Sequence, residues 1–193
     1  MARTKEFDTD DVVLKAIEVF WSKGFEATSI SDLVEAMGIN RGSIYDTFGD
    51  KAGLFELAIQ RYQIDAPSQR LLDNAETGDP REEIELFFNA LLSRSDCPEG
   101  FRGCLITNSI TELAARDAKM AALFKAGVKR IEDAFFTLIR RGQETGDIAP
   151  WREARSLARS LLASAQGLIV VSKVEPGRET LADIAETALS LLD

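Results

Sequence analysis

The sequence has no histidine among its 193 residues and only two cysteines, Cys97 and Cys104. Because histidine is the commonest general base and metal ligand, its absence argues against most hydrolases and zinc sites. Two cysteines are too few for a disulfide scaffold. The sequence also lacks a phosphate-binding glycine loop and a serine nucleophile elbow. We therefore expect no catalytic residues, no metal and no cofactor.

Long hydrophobic runs are missing as well. No run approaches the roughly 20 apolar residues that a membrane helix requires, and Met1 to Lys5 precede no apolar signal segment. The 45% hydrophobic content is nevertheless ample for a buried core. These features predict a soluble, cytoplasmic protein with no membrane partner.

Positive charge is scarce, since the net charge is −9. Residues 1–51 carry six Lys or Arg and ten Asp or Glu, a net charge of −4. Affinity for duplex DNA comes largely from cations that displace condensed counterions, so this balance argues against DNA binding. Four of the acids, Glu6, Asp8, Asp10 and Asp11, lie before or in the first turn of a predicted helix, where the helix dipole favours them.

The segment from Thr28 to Lys51 predicts two short helices joined by a tight turn. Thr28 or Ser29 can cap the first helix, Gly38 suits the left-handed position after it, and Asn40 can cap the second. One apolar stripe is formed by Ile30, Leu33, Val34 and Met37, and Ile44 and Phe48 face it from the second helix. This layout is typical of a DNA-binding helix-turn-helix.

The same residues resemble the amino-terminal domain of TetR-family transcriptional regulators. The resemblance rests on Gly38-Ile39, Tyr45, Phe48 and Lys51, and it extends through Ala16, Phe20, Gly24, Phe25, Thr28, Ile30 and Leu54. It covers roughly the first third of the chain, and as a combined pattern it is highly specific. It implies an all-helical regulator that binds double-stranded DNA at an inverted-repeat operator.

The candidate DNA-binding residues lie in or beside the two helices. Arg41 and Lys51 begin their helices next to free N–H groups, which suits a phosphate. In the family, the residues that match Tyr45 and Lys51 commonly touch the DNA backbone; the alternative for Tyr45 is a packing role. The full set is Thr28, Ser29, Arg41, Gly42, Ser43, Tyr45, Asp46, Thr47 and Lys51.

Three further members of this set have open alternatives. Thr28 and Ser29 can contact phosphates, cap the helix, or do both. Asp46 can accept from a cytosine amino group, or it can pair with Arg41 or another nearby cation and orient it.

Helical patterns continue through the rest of the chain, so we predict an all-α protein with about nine helices in total. A helix that begins near Lys51 and ends near Asp65, before Pro67, is expected to connect two domains. We predict a helix-turn-helix domain over residues 1–51, with its helical pair at 29–48, and a ligand-binding and dimerisation domain over residues 52–193.

The last two predicted helices are rich in apolar residues. Their periodicity allows either dimerisation or burial in the monomer core, and the family resemblance implies a homodimer joined by a four-helix bundle. The expected interface residues are Leu161, Ala165, Leu168, Leu181, Ile184, Ala188 and Leu191.

The second domain also carries candidates for signal binding. An apolar pocket could be lined by Phe87, Phe88, Phe101, Phe124, Phe135, Phe136 and Trp151, with polar groups from Asn108, Thr111, Glu112 and Gln166. Cys104 follows Arg102-Gly103 at a predicted helix start, which favours a reactive thiolate. The segment resembles the Gly-Cys-Leu of some TetR-family members that respond to electrophiles or oxidants. The alternatives are that Cys104 is a core residue, because cysteine is among the most commonly buried residue types, or that it forms a disulfide with Cys97.

These features predict a sequence-specific repressor that is released by an unknown small molecule or by modification of a cysteine. One alternative is an enzyme with Cys104 as nucleophile, which lacks a histidine base. The other is a helical protein-interaction module without DNA binding, which the acidic charge favours.

Overall fold

The computed structural model describes residues 7–95, 102–175 and 177–193. These residues form only helices and connecting turns, which confirms the predicted all-α fold. None of the helices there is long and apolar enough to cross a membrane. The helices are α1 (Thr9–Lys23), α2 (Ile30–Met37), α3 (Arg41–Phe48), α4 (Lys51–Ile64), α5 (Pro67–Asn74), α6 (Pro80–Ser95), α7 (Leu105–Leu113), α8 (Ala118–Thr145), α9 (Ala154–Val171) and α10 (Arg178–Leu189), followed by a 3-10 turn at Ser190–Leu192.

The chain divides into two compact units, and the first ends at Asp65. In this unit α1 packs on α2 and α4, and α3 packs between α2 and α4. The centre is aromatic: the rings of Phe20 and Phe55 meet edge to face with centroids 4.9 Å apart, and the ring of Phe25 lies 4.9 Å from that of Phe55. These rings therefore join α1, the turn after it and α4.

The boundary between the units lies one helix later than predicted. Leu54, Phe55, Ala58 and Ile59 of α4 are fully buried, and α4 packs against α1 and α3. Because these side chains complete the core of the first unit, α4 belongs to that unit and not to the second.

The second unit begins at Ala66, and α8, α9, α10 and α6 surround its core. It contains a short helix, α5, that the sequence pattern does not predict. The pattern indicates that Pro67 follows the end of a helix, whereas Pro67 occupies the first turn of α5. Proline is tolerated there because the first N–H groups of a helix have no intrahelical partner. This helix explains why the described residues contain ten α-helices and not nine.

Candidate nucleic-acid interface

A reciprocal capping box fixes the start of α2. The Asp32 N–H donates to Ser29 Oγ over 3.1 Å, and the Ser29 N–H donates to Asp32 Oδ2 over 2.8 Å. Lys23 at the end of α1 donates to the other Asp32 oxygen over 2.6 Å. The Lys23 ammonium, followed by the Ser29 N–H, holds the pKa of Asp32 well below its ordinary value. Ser29 therefore acts as the predicted cap and ties α2 to α1 through Asp32.

The turn between α2 and α3 has the predicted geometry. Gly38 adopts φ +69°, a left-handed conformation that costs a residue with a side chain more than glycine. Asn40 caps α3 by accepting from the Ser43 N–H over 2.8 Å. Ile44 and Phe48 are buried against the rest of the unit. The opposite face of α3 is thereby left to solvent.

The exposed face of α3 is formed by Arg41, Gly42, Tyr45 and Asp46, with Ser43 and Thr47 half-buried beside it. The Arg41 guanidinium lies 5.7 Å from the Tyr45 ring centroid and donates to the Tyr45 hydroxyl over 3.4 Å. Tyr45 is 40% exposed, so the alternative of a packing role describes only part of its ring. Within the described residues Asp46 has no hydrogen bond or ion pair, and Arg41 bonds to Tyr45 instead of Asp46.

Most cations of the first unit have internal partners. Among residues 7–65, Lys15 pairs with Asp11, Lys23 with Asp32, and Arg61 with Asp65. Lys51 donates to three backbone carbonyls. In that part of the chain, Arg41 is the one cation with neither a carboxylate nor a carbonyl partner. It is therefore the cation most available to a phosphate on the α3 face.

Two predicted DNA contacts lie away from this face. Thr28 is 1% exposed, and its hydroxyl donates to the Gly24 carbonyl over 2.5 Å. Burial therefore conflicts with a phosphate contact from the Thr28 side chain. The ammonium of Lys51 points into the turn that follows α1, where it is surrounded by carbonyl oxygens.

Two family models match different parts of the chain. The family model for bacterial regulatory proteins of the tetR family matches residues 13–58. The model for the tetracyclin repressor-like C-terminal domain matches residues 80–188, more than half of the chain. The chain belongs to the TetR family. It is a helix-turn-helix transcriptional regulator, as the resemblance implied.

Relatives of this TetR-family regulator match over almost its full length. YezE of Bacillus subtilis, an uncharacterized HTH-type transcriptional regulator, is 35% identical over 195 residues and covers 100% of both chains. The repressor ComR of Escherichia coli is 30% identical, over 98% of this chain and 90% of ComR. A solved structure of a cysteine mutant of the TetR-family regulator CifR, complexed with 26-bp double-strand operator DNA, is 30% identical with a TM-score of 0.85, over 99% of this chain and 100% of CifR.

The residues predicted to line a pocket in the second unit of this TetR-family regulator lie in different environments. Phe87, Phe88 and Phe135 pack ring against ring in the core, and Phe124 is also buried. Trp151 is 72% exposed. Phe136 is half-buried, with the Arg155 guanidinium 3.8 Å from its ring centroid. Phe101 and Cys97 lie outside the described residues.

Two of the polar candidates, Asn108 and Gln166, join α7 to the end of α9 and the turn after it. Gln166 accepts from the Thr107 hydroxyl over 2.7 Å, and Asn108 accepts from Lys173 Nζ over 3.0 Å. Cys104 is half-buried at the N-cap of α7 and makes no side-chain capping bond. Thr111 is exposed and Glu112 half-buried one turn further along α7. The sequence does not predict the roles of Thr107 and Lys173, because neither residue type is distinctive without its partner.

The residues predicted for the dimer interface lie mostly inside the monomer. Leu161, Ala165, Leu168, Leu181 and Ala188 are 0–3% exposed in the core of the second unit, which corrects the prediction for these five. Ile184 and Leu191 are half-buried at the edge of that core. The most apolar stripe is the one that folds against α6 and α8. The face of α9 left exposed is formed by Ser156, Ser160, Ala163, Gly167 and Val170, and exposed Val174 lies in the turn after the helix.

Proposed function

We propose that this regulator is a repressor that binds an inverted-repeat operator as a homodimer, with α3 of each protomer in the major groove. The carrying observation is the division of α3 into a buried face of Ile44 and Phe48 and an exposed, mostly polar face. A helix presented in this way can contact base edges. ComR is named a repressor, which supports repression as the direction of regulation. The CifR mutant structure is a complex with operator DNA, which supports an operator as the target.

Two residues divide the contacts on this face. Arg41 supplies charge to a phosphate, with Tyr45 stacked beside it. Asp46, which has no cation partner within the described residues, accepts from a cytosine amino group. Because a carboxylate repels phosphates, an unpaired Asp46 on this face lowers general DNA affinity and adds base selectivity.

The experiment is selection of bound duplexes from a random pool, with wild type and with Asp46→Asn. We expect an enriched inverted repeat whose half-sites lie about one DNA turn apart. Asp46→Asn should relax one position of each half-site, because a good base contact contributes roughly 1–3 kcal/mol of discrimination. Glu35→Gln is the matched control, since it removes the same charge from an exposed position of α2.

The outcomes separate the candidate functions. If wild type enriches no sequence, DNA reading fails and the protein-interaction module is favoured. If Asp46→Asn binds more tightly with unchanged preference, as Glu35→Gln would, then Asp46 reads no base.

The dimer is proposed to form through the exposed face of α9. Ser160, Ala163 and Gly167 are small and would let a partner helix approach closely, and no atom lies within 4 Å of a Cβ built on Gly167. Val170 and Val174 are 51% and 83% exposed. Exposed apolar side chains beside such small residues favour a helix–helix interface.

Charge supports an antiparallel arrangement of the two copies. Within one chain α9 and α10 are antiparallel neighbours, and the Ala149 N–H, just before α9, donates to the Leu192 carbonyl after α10. Arg159 lies near the start of α9, whereas Glu179 and Asp183 lie near the start of α10, at the other end of the pair. A two-fold axis that pairs α9 antiparallel with its copy brings Arg159 toward these acids of the partner.

We propose that the regulator is released from DNA when a small molecule binds in the second unit or when Cys104 is modified. The candidate ligand residues are Phe88, Cys104, Asn108, Phe124 and Gln166. A side-chain hydrogen bond from Thr107 to Gln166 connects α7 to α9, and one from Lys173 to Asn108 connects α7 to the turn that follows α9. A ligand that displaces α7 would thereby act on the helix that carries the proposed dimer face. It would shift the population toward an arrangement with poorer spacing of the two α3 helices.

A further inference from the structure

Lys51 makes an unusual set of contacts for a residue predicted to bind DNA. Its Nζ donates to the carbonyl oxygens of Phe25 over 2.9 Å, Thr28 over 3.0 Å and Glu26 over 3.5 Å. A lysine ammonium has three N–H donors, so these three acceptors use all of them. The same ammonium lies 4.3 Å from the Phe25 ring centroid, a cation–π distance.

The turn that accepts Lys51 is itself anchored in the core. The Phe25 ring packs on Phe55, and the buried Thr28 hydroxyl closes the turn by donating to the Gly24 carbonyl. Ser29, the N-cap of α2, follows immediately. Lys51 is the first residue of α4, so its side chain links the start of α4 to the start of α2. These two helices are the ones that flank α3 in the chain.

The start of α4 is also poorly suited to a phosphate. The Asp50 carboxylate caps α4 by accepting from the Gly53 N–H over 2.7 Å. A phosphate placed there would meet this negative charge and compete for the same N–H group. A cation at a helix N-terminus is disfavoured by the helix dipole, and the carbonyls of Phe25 and Thr28 provide Lys51 with compensating acceptors.

We propose that Lys51 is a positioning residue that fixes the turn 24–28, and with it the start of α2, against the start of α4, and that it does not bind a DNA phosphate. Reaching a phosphate would withdraw the ammonium from part-buried carbonyls and from the Phe25 ring. Its contribution to operator binding is therefore the orientation of α3 between α2 and α4. This inference rests on the proposed function for its effect on DNA, and on contacts within the first unit for its structural part.

The experiment compares Lys51→Met, Lys51→Arg and Arg41→Met in operator titrations over a range of salt concentrations. The titrations are run at a temperature where circular dichroism shows each variant folded. The slope of log affinity against log salt falls by about 0.9 for each phosphate that the protein no longer neutralises. Arg41→Met should reduce this slope by about 1.8 per dimer if each Arg41 contacts one phosphate.

Lys51→Met should weaken operator binding by about tenfold with an unchanged slope, within the range of usual couplings between sites. Lys51→Arg should weaken operator binding to a similar extent, because a planar guanidinium does not reproduce the contacts of a compact ammonium among three convergent carbonyls. A phosphate ligand would behave differently: Met would reduce the slope, and Arg would restore affinity. Either result overturns the proposal, and so does a folded Lys51→Met variant with wild-type affinity.

Amide hydrogen exchange supplies a measurement that is independent of DNA. In Lys51→Met, exchange should accelerate in the turn 24–28 and at the start of α2, while the second unit keeps its wild-type protection. Unchanged exchange in that turn overturns the proposal that Lys51 fixes the turn, even if no operator is found. If wild type binds no duplex but exchange is faster in Lys51→Met, the proposed function is rejected. The positioning of the turn 24–28 by Lys51 is then retained.

Discussion

Cys104 is half-buried at the N-cap of α7 and packs against the core of the second unit. Gly103 beside it adopts φ +79°, and a Cβ built there would lie 2.9 Å from Lys173 Cδ. An atom added at Gly103 would therefore displace the Lys173 side chain. We expect a bulky adduct on the neighbouring Cys104 sulfur to crowd the start of α7.

Alkylation with N-ethylmaleimide tests this residue as a trigger. The Cys104 thiolate adds to the maleimide double bond, a C–S bond forms, and the neighbouring carbon takes a proton. Operator affinity should fall by about tenfold, a typical allosteric coupling, in wild type and in Cys97→Ser. Cys104→Ser should not respond. Intact mass reports the number of adducts, and an equal loss in Cys104→Ser would exclude Cys104 as the trigger.

Among the elements, α2 is held at its start by polar contacts to its own cap and to α1. Asp32 joins Ser29 of its own cap to Lys23 of α1, and these contacts lower its pKa. A carboxyl whose pKa is lower in the folded state stabilises the fold above its ordinary pKa of 3.8. That stability is lost as the pH falls below this value.

Asp32→Asn should therefore destabilise the first unit at pH 7, and the difference from wild type should shrink as the pH falls from about 5 to about 2. Urea unfolding followed by Trp21 fluorescence measures this in a Trp151→Phe background, because the chain has only two tryptophans. A difference that stays constant over this pH range would show that the charge of Asp32 is irrelevant to stability.

The element ends in the first unit were predictable because their signals are local. Ser29, Gly38 and Asn40 each act within three or four residues, and each has the predicted role. Pro67 is ambiguous in the sequence because proline is common both after a helix and in its first turn. Lys51 could not be assigned from the sequence, since its acceptors lie 23 to 26 residues earlier in the chain.

In the molecule as a whole, there is a physical reason why the residues predicted for the dimer interface are buried within one chain. Leu161, Leu168 and Leu181 are attractive interface candidates because large apolar residues favour burial, but a single chain already buries them. An exposed face that must remain compatible with water carries smaller residues, as at Ser160, Ala163 and Gly167. Periodicity identifies the apolar stripe of a helix, and only the packing of the other helices shows which stripe stays exposed.

Ala163→Arg tests whether the exposed face of α9 joins two copies. Ala163 lies at the middle of this face and is exposed, so the larger side chain should leave the monomer folded. At a two-fold interface the substitution brings bulk and two like charges together, because each copy contributes the same surface. Sedimentation should show a shift from dimer to monomer, and operator affinity should fall with it, because two half-sites are no longer bound together. Ala126→Arg is the matched control at an exposed alanine of α8 and should remain dimeric. A dimeric Ala163→Arg protein with wild-type affinity would place the interface elsewhere.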